Sequence, residues 1–127
     1  MTSTPASSPV PVAEALTGAQ AEQLACAHLE AAGLSVIQRN YRCPPGEIDL
    51  IMNDGDTLVF VEVRYRQSDR FGSAAESVTP TKRARLEAAA LHFLAKHAIN
   101  RPCRFDVVAL SGTPARMAWH RDAFQTD

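Results

Sequence analysis

Residues 46–66 decide the fold and read GEIDLIMNDGDTLVFVEVRYR. Two runs rich in β-branched, aromatic and other apolar residues, 47–53 and 57–65, flank a polar segment that contains Asp54 and Gly55. An Asp-Gly pair between two such runs is the strongest short-range signal of a β-hairpin. The pattern therefore predicts two neighbouring antiparallel strands with a two-residue turn at Asp54 and Gly55.

The predicted hairpin gathers three carboxylates on one face. Successive side chains of a strand point to opposite faces, so Glu47 and Asp49 share a face, and the same face of the partner strand carries Glu62. With the turn at residues 54 and 55, Glu47 lies opposite Glu62 and Asp49 lies opposite Phe60. Asp49 and Glu62 are then diagonal neighbours with Cα atoms about 7–8 Å apart, so both side chains can reach one ion.

Two interpretations of this acidic face are open. Acids on the solvent face of a half-buried hairpin need no function, and the pattern alone fits that equally well. Large apolar residues on both faces favour covered faces and a site: Ile51, Leu58 and Phe60 beside the acids, Val59, Val61 and Val63 opposite. Buried carboxylates require a cation or a proton. Carboxylate oxygens beside the fixed charge of Arg64 suit Mg²⁺ and a phosphodiester.

A first helix is predicted at about residues 17–32. Thr17 with Gln20 three residues later forms a capping box, and a helical apolar repeat follows as far as Gly33. Glu22 lies at the edge of the apolar stripe of this helix. Its carboxylate either faces inward or is solvated like that of an ordinary helix glutamate.

A second helix is predicted from Thr79 as N-cap and Pro80 at the first helical position to about residue 98. Its predicted core stripe is made of small and aliphatic residues: Ala84, Ala88, Leu91, Ala95 and Ala98. Further strands are predicted at 34–39, 103–110 and 116–119, which completes the order αβββαββ. This order indicates an α/β fold with a mixed central sheet and flanking helices. Asp106, between apolar neighbours, is interpreted as a fold-stabilising acid that pairs with Arg104 or Arg101.

The length, charge and motif content of the sequence limit the possible fold and function classes. A length of 127 residues is typical of one domain, here predicted at 17–127 after a disordered tail at 1–16. The net charge is −1, but residues 1–60 carry −5 and residues 61–104 carry +5. A Gly-rich phosphate loop and a Gly-x-Ser-x-Gly elbow are absent from the sequence, which excludes Rossmann, P-loop NTPase and α/β-hydrolase classes.

Cellular location follows from what the sequence lacks. The first residues have no basic segment followed by an apolar core, so a signal peptide is not expected. An apolar run of about 20 residues, which a membrane span needs, is also lacking, so we expect no membrane association. Three cysteines without metal-ligand spacing fit reduced thiols in a cytoplasm.

At these residues the sequence resembles the YraN family of small bacterial proteins, which have a restriction-endonuclease-like fold and are related to archaeal Holliday junction resolvases. The resemblance covers about residues 17–124. It is carried by Gly18-x-x-x-Glu22, Gly46-Glu47-Ile48-Asp49-Leu50-Ile51, Phe60-Val61-Glu62-Val63-Arg64-Tyr65-Arg66, Phe71-Gly72, Lys82 and Arg104-Phe105-Asp106-Val107-Val108.

The resemblance implies a metal-dependent nuclease site. In the wider superfamily an Asp followed by a Glu-x-Lys motif holds Mg²⁺, which is similar to Asp49, Glu62 and Arg64 here, and Mn²⁺ is a possible substitute. Glu22 corresponds to the helical acid that completes the metal shell. Arg64 departs from the motif lysine and cannot serve as a base, so the proton acceptor would be Glu62, Glu22 or a hydroxide on the metal. Lys82 could replace the missing amine.

The resemblance also implies DNA as the partner. The expected phosphate track consists of cations that follow the acidic hairpin: Arg66, Arg70, Lys82, Arg83, Arg85 and Lys96. Six phosphate contacts would give a slope of log affinity against log salt near −5. Few exposed aromatics are predicted, which favours recognition of branched or flapped DNA and of single-strand/double-strand boundaries by shape.

The sequence also fits two functions other than a nuclease. The chain could be a nuclease-fold module that binds nucleic acid without chemistry, or an adaptor that docks a protein through its N-terminal tail or through the apolar region of Trp119 and Phe124. His120 is interpreted as structural because no nucleophile is paired with it. Resolution of a four-way junction would need two active sites and hence a homodimer.

Overall fold

The structure, a computed structural model, describes residues 15–68 and 77–124. Two helices and five strands follow in the predicted order: α1 (Gly18–Ala31), β1 (Ser35–Cys43), β2 (Gly46–Asp54), β3 (Thr57–Arg66), α2 (Pro80–Lys96), β4 (Cys103–Ser111) and β5 (Arg116–Phe124). Most of the predicted tail, residues 1–14, lies outside the described residues, as do Arg70 and the Phe71-Gly72 motif. Leu16 packs against the core, and its N–H donates to the Tyr65 hydroxyl at 3.1 Å.

The five strands form one mixed sheet in the order β1-β2-β3-β4-β5. β3 and β4 are parallel because α2 crosses over between them, and the other three pairs are antiparallel. The predicted α/β fold with a mixed central sheet and flanking helices is therefore confirmed. Neither helix of the described chain is long and apolar enough to cross a membrane.

Each face of the sheet is covered by one helix and has its own core. On the α1 face, Ala25 and Leu29 pack with Val59, Val61 and neighbouring residues. On the α2 face, the core contains the apolar residues predicted to share the acidic face, Ile51, Leu58 and Phe60. The expectation that both faces of the hairpin are covered is confirmed.

The predicted stripe of α2 is wrong. The helix buries Leu86, Ala89, Ala90 and Phe93, whereas Leu91 is 67% exposed. A stripe of alanines offers little area, and the helix instead turns the large Leu86 and Phe93 side chains toward the sheet. The N-caps agree with the sequence, since the Thr17 hydroxyl accepts the Gln20 N–H and the Thr79 hydroxyl accepts the Lys82 N–H.

The predicted hairpin register is also wrong, by two residues. Asp54 pairs with Thr57 and Ile51 pairs with Phe60, so the turn residues are Gly55 and Asp56. Gly55 has a φ of 59° and takes the first central position of the turn, where a type II′ hairpin places glycine. Because the shift is an even number of residues, every side chain keeps its predicted face.

Asp106 stabilises the pairing of β4 with β5 through buried hydrogen bonds. Its carboxylate is 1% exposed and accepts hydrogen bonds from the Arg104 guanidinium, the Trp119 indole N–H and the Asp122 backbone N–H. Arg104 also donates to Asp54 at 2.8 Å. The predicted pairing of Asp106 with Arg104 is confirmed.

Candidate metal and nucleic-acid site

Asp49 and Glu62 face each other on the α2 side of the sheet. The last ladder pair is Leu50 with Val61, so one residue further along Asp49 lies opposite Glu62 instead of diagonal to it. The Asp49 Oδ2 atom accepts the Val63 N–H at 2.8 Å, which fixes the carboxylate against β3. The Glu62 side chain is 13% exposed. The corrected register therefore brings the two acids closer than the predicted one.

The pKa of Asp49 reflects this environment. It is raised from 3.8 to about 7, chiefly by burial and next by the neighbouring Glu62 carboxylate, while the hydrogen bond from the Val63 N–H opposes the rise. Two carboxylates that face each other in a partly buried site repel unless a proton or a cation lies between them. Near neutral pH Asp49 is therefore partly protonated, and a cation can take the place of the proton.

Glu22 reaches Asp49 from the start of α1. Its pKa is raised by burial and by Asp49, whereas a hydrogen bond with Asn40 lowers it. Asn40 has a φ of 51°, a conformation that asparagine tolerates better than most residues. Glu47 is exposed and pairs weakly with Arg42 at 3.6 Å, so it lies at the rim of the site.

A polar cleft of about 350 Å³ opens at the carboxylates. Its walls are the hairpin and the first turns of α2: Gly46, Glu47, Asp49, Glu62, Arg64, Lys82, Arg85 and Leu86. Gly46 allows this approach, because a Cβ atom there would lie 3.1 Å from the Arg85 carbonyl oxygen. The fold thus brings two of the predicted cations, Lys82 and Arg85, to the acids.

Arg64 is held in place by two hydrogen bonds. Its Nε donates to the Ser77 hydroxyl at 2.8 Å, and a terminal nitrogen donates to Glu62 at 3.3 Å. An arginine stays protonated in proteins and cannot accept a proton. Arg64 therefore supplies a fixed positive charge beside the carboxylates.

The donor set fits a hard divalent cation. Within the described residues, no group of three or more histidine, cysteine, aspartate or glutamate side chains is arranged to hold a metal ion, so Glu22, Asp49 and Glu62 do not form a complete shell. Mg²⁺ keeps several waters and is usually bound by one or two carboxylates together with substrate phosphate oxygens. Asp49 and Glu62 supply these two carboxylates. The raised pKa of Asp49 shows that a positive charge between them would be favourable.

The remaining predicted cations are not gathered at the cleft. Arg83 lies on the opposite side of α2, with its guanidinium 5.2 Å from the Phe124 ring centroid. Arg66 is the last residue of β3. Lys96 is the last residue of α2, and the helical rise per residue places it about 21 Å from Lys82. The expected phosphate track is therefore shorter than the sequence indicates.

Two residues of the site were missed by sequence reasoning. Ser77 holds Arg64, and Asn40 holds Glu22. Ser77 is thirteen residues from Arg64 and Asn40 is eighteen residues from Glu22, so local periodicity gives no signal for either contact. The three cysteines are free thiols, as predicted.

Comparison with known proteins assigns the family. The sequence matches the model of the uncharacterised protein family UPF0102 over residues 21–110. A UPF0102 protein of Nitrosococcus oceani is 55% identical over 114 residues, which cover 87% of this chain and 92% of the relative. A UPF0102 protein of Ralstonia nicotianae is 57% identical over 125 residues, which cover 94% of this chain and 95% of the relative. The chain belongs to the uncharacterised protein family UPF0102, the YraN family whose motifs its sequence resembles.

Proposed function

We propose that this protein is a Mg²⁺-dependent DNA endonuclease that hydrolyses a phosphodiester in branched or flapped DNA. The observation that carries the proposal is the facing pair of Asp49 and Glu62 in a cleft that also contains Arg64, Lys82 and Arg85. Hydrolysis of a phosphodiester is favoured by carboxylates that bind a divalent cation and by positively charged side chains that bind the phosphate. Both kinds of side chain line this one cleft.

Asp49 and Glu62 are the proposed metal ligands. A divalent cation held by these two carboxylates would neutralise the charge that develops at phosphorus and lower the pKa of water, and Mn²⁺ would support the same chemistry as Mg²⁺. Asp49 would give up its proton to solvent on binding the cation. The Val63 N–H keeps the Asp49 carboxylate oriented toward β3 in either state.

Arg64 and Lys82 have different proposed roles. Arg64, tied to Ser77 and Glu62, stabilises negative charge on the phosphate through its fixed guanidinium. Lys82 lines the same cleft from the first turn of α2 and takes the place of the amine that the superfamily motif carries at position 64. It orients the attacking water or the phosphate.

Glu22 is the proposed proton acceptor. Its raised pKa makes it a stronger base than an ordinary glutamate, and Asn40 holds it beside Asp49. A Glu22→Gln variant is expected to bind the metal ion like the parent protein and to cleave at least about 100-fold more slowly.

The experiment is a cleavage assay with labelled flap, single-stranded and four-way-junction DNA in Mg²⁺, Mn²⁺ or EDTA. We expect metal-dependent cutting by the parent protein, with flap DNA preferred, and no cutting by an Asp49→Ala, Glu62→Ala double variant purified in parallel. The variant controls for contaminating nucleases. Metal-dependent cutting that persists in the double variant would contradict the proposal.

A second candidate function is nucleic-acid binding without chemistry. The hydrogen bonds that tie Arg64 to Ser77 and Glu62 favour it, because they hold the motif cation in a structural arrangement. This function predicts salt-sensitive DNA binding in EDTA and no cutting of any substrate. Light scattering at two concentrations would show whether the protein forms the homodimer that junction cleavage requires.

A further inference from the structure

A second cleft lies on the same face of the sheet as the carboxylates, on the other side of α2. Its volume is about 470 Å³, larger than the carboxylate cleft. Val78 lines it from just before α2 and Arg83 from the beginning of α2, and Val107, His120 and Phe124 line it from β4 and β5. None of the metal-site residues contributes to its lining, so it is a separate feature.

The floor of this cleft is apolar and well supported. Phe124 is 8% exposed and stacks on Phe105 with ring centroids 4.9 Å apart, and Val107 beside it is buried. The Arg83 guanidinium lies 5.2 Å from the Phe124 ring centroid. The guanidinium therefore lies over the aromatic floor. A guanidinium plane layered on an aromatic ring is a surface on which a base can stack, and the same arginine can pair with the phosphate of that nucleotide.

Arg83 and Asp122 are the charged groups that remain at the cleft. Arg121 belongs to the lining, but its guanidinium lies 4.0 Å from the ring centroid of Trp119, which packs in the core of the α1 face. The backbone N–H of Asp122 donates to buried Asp106 at 2.9 Å, which fixes this part of β5. Arg83 is therefore the arginine of the lining that can pair with a phosphate.

The two clefts are close enough to contact one DNA strand. The carboxylates lie on β2 and β3, and the second cleft lies over β4 and β5. Neighbouring strands of a sheet are about 4.8 Å apart, so the centres of the two clefts are separated by about 10 Å. A strand whose phosphodiester lies at Asp49 and Glu62 therefore passes within reach of Arg83.

We infer that the cleft lined by Arg83, His120 and Phe124 holds an unpaired nucleotide of the DNA strand that is cut. A base within a duplex is stacked between its neighbours and cannot enter such a cleft without being extruded. The volume lies in the range of sites that enclose a small ligand, and it exceeds what a phosphate group alone needs. The inference rests on the proposed function, and it makes a single-stranded segment beside the cut a requirement for recognition.

The test measures binding in EDTA, where no cutting is expected. Fluorescence anisotropy compares a blunt duplex with the same duplex carrying a five-nucleotide overhang. We expect the parent protein to prefer the overhang by at least about five-fold, the lower end for stacking one base, and Arg83→Gln to lose that preference. Arg116→Gln, which removes the same charge at the other end of β5, about 26 Å along the strand from Phe124, is expected to keep it.

A second readout locates the nucleotide on the 13.8 kDa protein. In ¹⁵N-labelled protein, pentathymidylate is expected to shift the amide signals of residues 120–124, and free thymidine monophosphate to shift them only at much higher concentration. Equal overhang preference in Arg83→Gln and the parent protein would overturn the inference, as would shifts confined to the carboxylate cleft. Equal effects of the free nucleotide and the oligonucleotide would also overturn it.

The outcomes separate this inference from the proposed function. Metal-dependent cutting without any overhang preference leaves the nuclease function in place and removes the nucleotide cleft. An overhang preference that depends on Arg83, without cutting in Mg²⁺ or Mn²⁺, keeps the cleft and removes the nuclease function.

Discussion

Asp49 is the residue expected to give this protein a pH-dependent stability. Its pKa is about 7 in the folded protein and near 3.8 when exposed, so between these values the folded state keeps a proton that the unfolded state has lost. Stability without metal therefore falls as the pH rises from about 4 to 7. Asp49→Asn is expected to remove this decline and to unfold at a higher temperature than the parent protein at pH 8 in EDTA.

Thermal unfolding at a series of pH values checks this expectation. Mg²⁺ is expected to raise the unfolding temperature of the parent protein at pH 8 and to leave that of Asp49→Asn unchanged, because bound ligand stabilises only the folded state that binds it. Asp56→Asn, a change of the same type in the exposed hairpin turn, serves as control. The same decline with pH in Asp49→Asn and the parent protein would refute the assignment.

Asp106 is expected to matter for stability instead of function. It accepts hydrogen bonds from Arg104, Trp119 and the Asp122 backbone, and Asp106→Asn would leave the Arg104 guanidinium without its buried counter-charge. Removal of one partner of a buried ion pair costs about 3–5 kcal/mol. Urea denaturation measures the loss. A loss similar to that of Glu47→Gln, which breaks only an exposed pair, would contradict the role given to Asp106.

For individual residues of the site, the sequence predicted which side chains share a surface but not all of their contacts. Asp49, Glu62 and Arg64 were found because side chains alternate along a strand, and alternation survives an error of two residues in register. The contacts of Arg64 with Ser77 and of Glu22 with Asn40 depend on how separate elements approach each other. Local pattern carries no information on such approaches.

The close approach of α2 to the turn between β1 and β2 is the element-scale feature on which the site depends. Gly46→Ala would place a Cβ atom 3.1 Å from the Arg85 carbonyl oxygen and 3.3 Å from the Arg85 Cβ. The Arg85 backbone cannot shift by itself to make room for this Cβ atom, so the whole of α2 is expected to move away from the carboxylates. We expect a loss of about 1–3 kcal/mol in stability and a weaker affinity for DNA.

Gly18→Ala is the matched control for this change. Nothing lies within 4 Å of a Cβ atom at Gly18, which begins α1, so alanine is expected to leave stability unchanged or to increase it slightly. Chemical denaturation and anisotropy with flap DNA measure both variants. An equal effect of the two substitutions would show that the approach of α2 does not position the site.

Elements were predicted well where a local signal marks them. The Thr17 and Thr79 caps were predicted correctly because each side chain bonds to the backbone of its own helix. The order of the elements was predicted correctly because apolar residues repeat with the period of a helix or of a strand. The hairpin turn was misplaced because Asp54-Gly55 and Gly55-Asp56 are both acceptable turn pairs, and the choice depends on the flanking ladder. The stripe of α2 was misassigned because the orientation of a helix on a sheet depends on which large side chains the core can accept.

The distribution of charge over the whole molecule sets how strongly salt weakens DNA binding. Of the cations predicted to contact phosphate, Arg66, Lys82, Arg83 and Arg85 lie on β3 and the start of α2, whereas Lys96 lies at the other end of the helix. About four contacts predict a slope of log affinity against log salt between about −3 and −4, shallower than six contacts would give. Anisotropy with flap DNA in EDTA at several KCl concentrations measures the slope. A slope near zero would contradict phosphate recognition by this surface.

The proposed function requires a divalent cation at Asp49 and Glu62, and the Mg²⁺ dependence of the single-turnover cleavage rate is the measurement that tests this requirement. With flap DNA, the parent protein and the Asp56→Asn control are expected to show the same rate, which saturates with Mg²⁺ and vanishes in EDTA. Glu62→Gln is expected to need at least about ten-fold more Mg²⁺ or to be inactive. Cleavage by Glu62→Gln with the Mg²⁺ dependence of the parent protein, or cleavage in EDTA, would contradict the account.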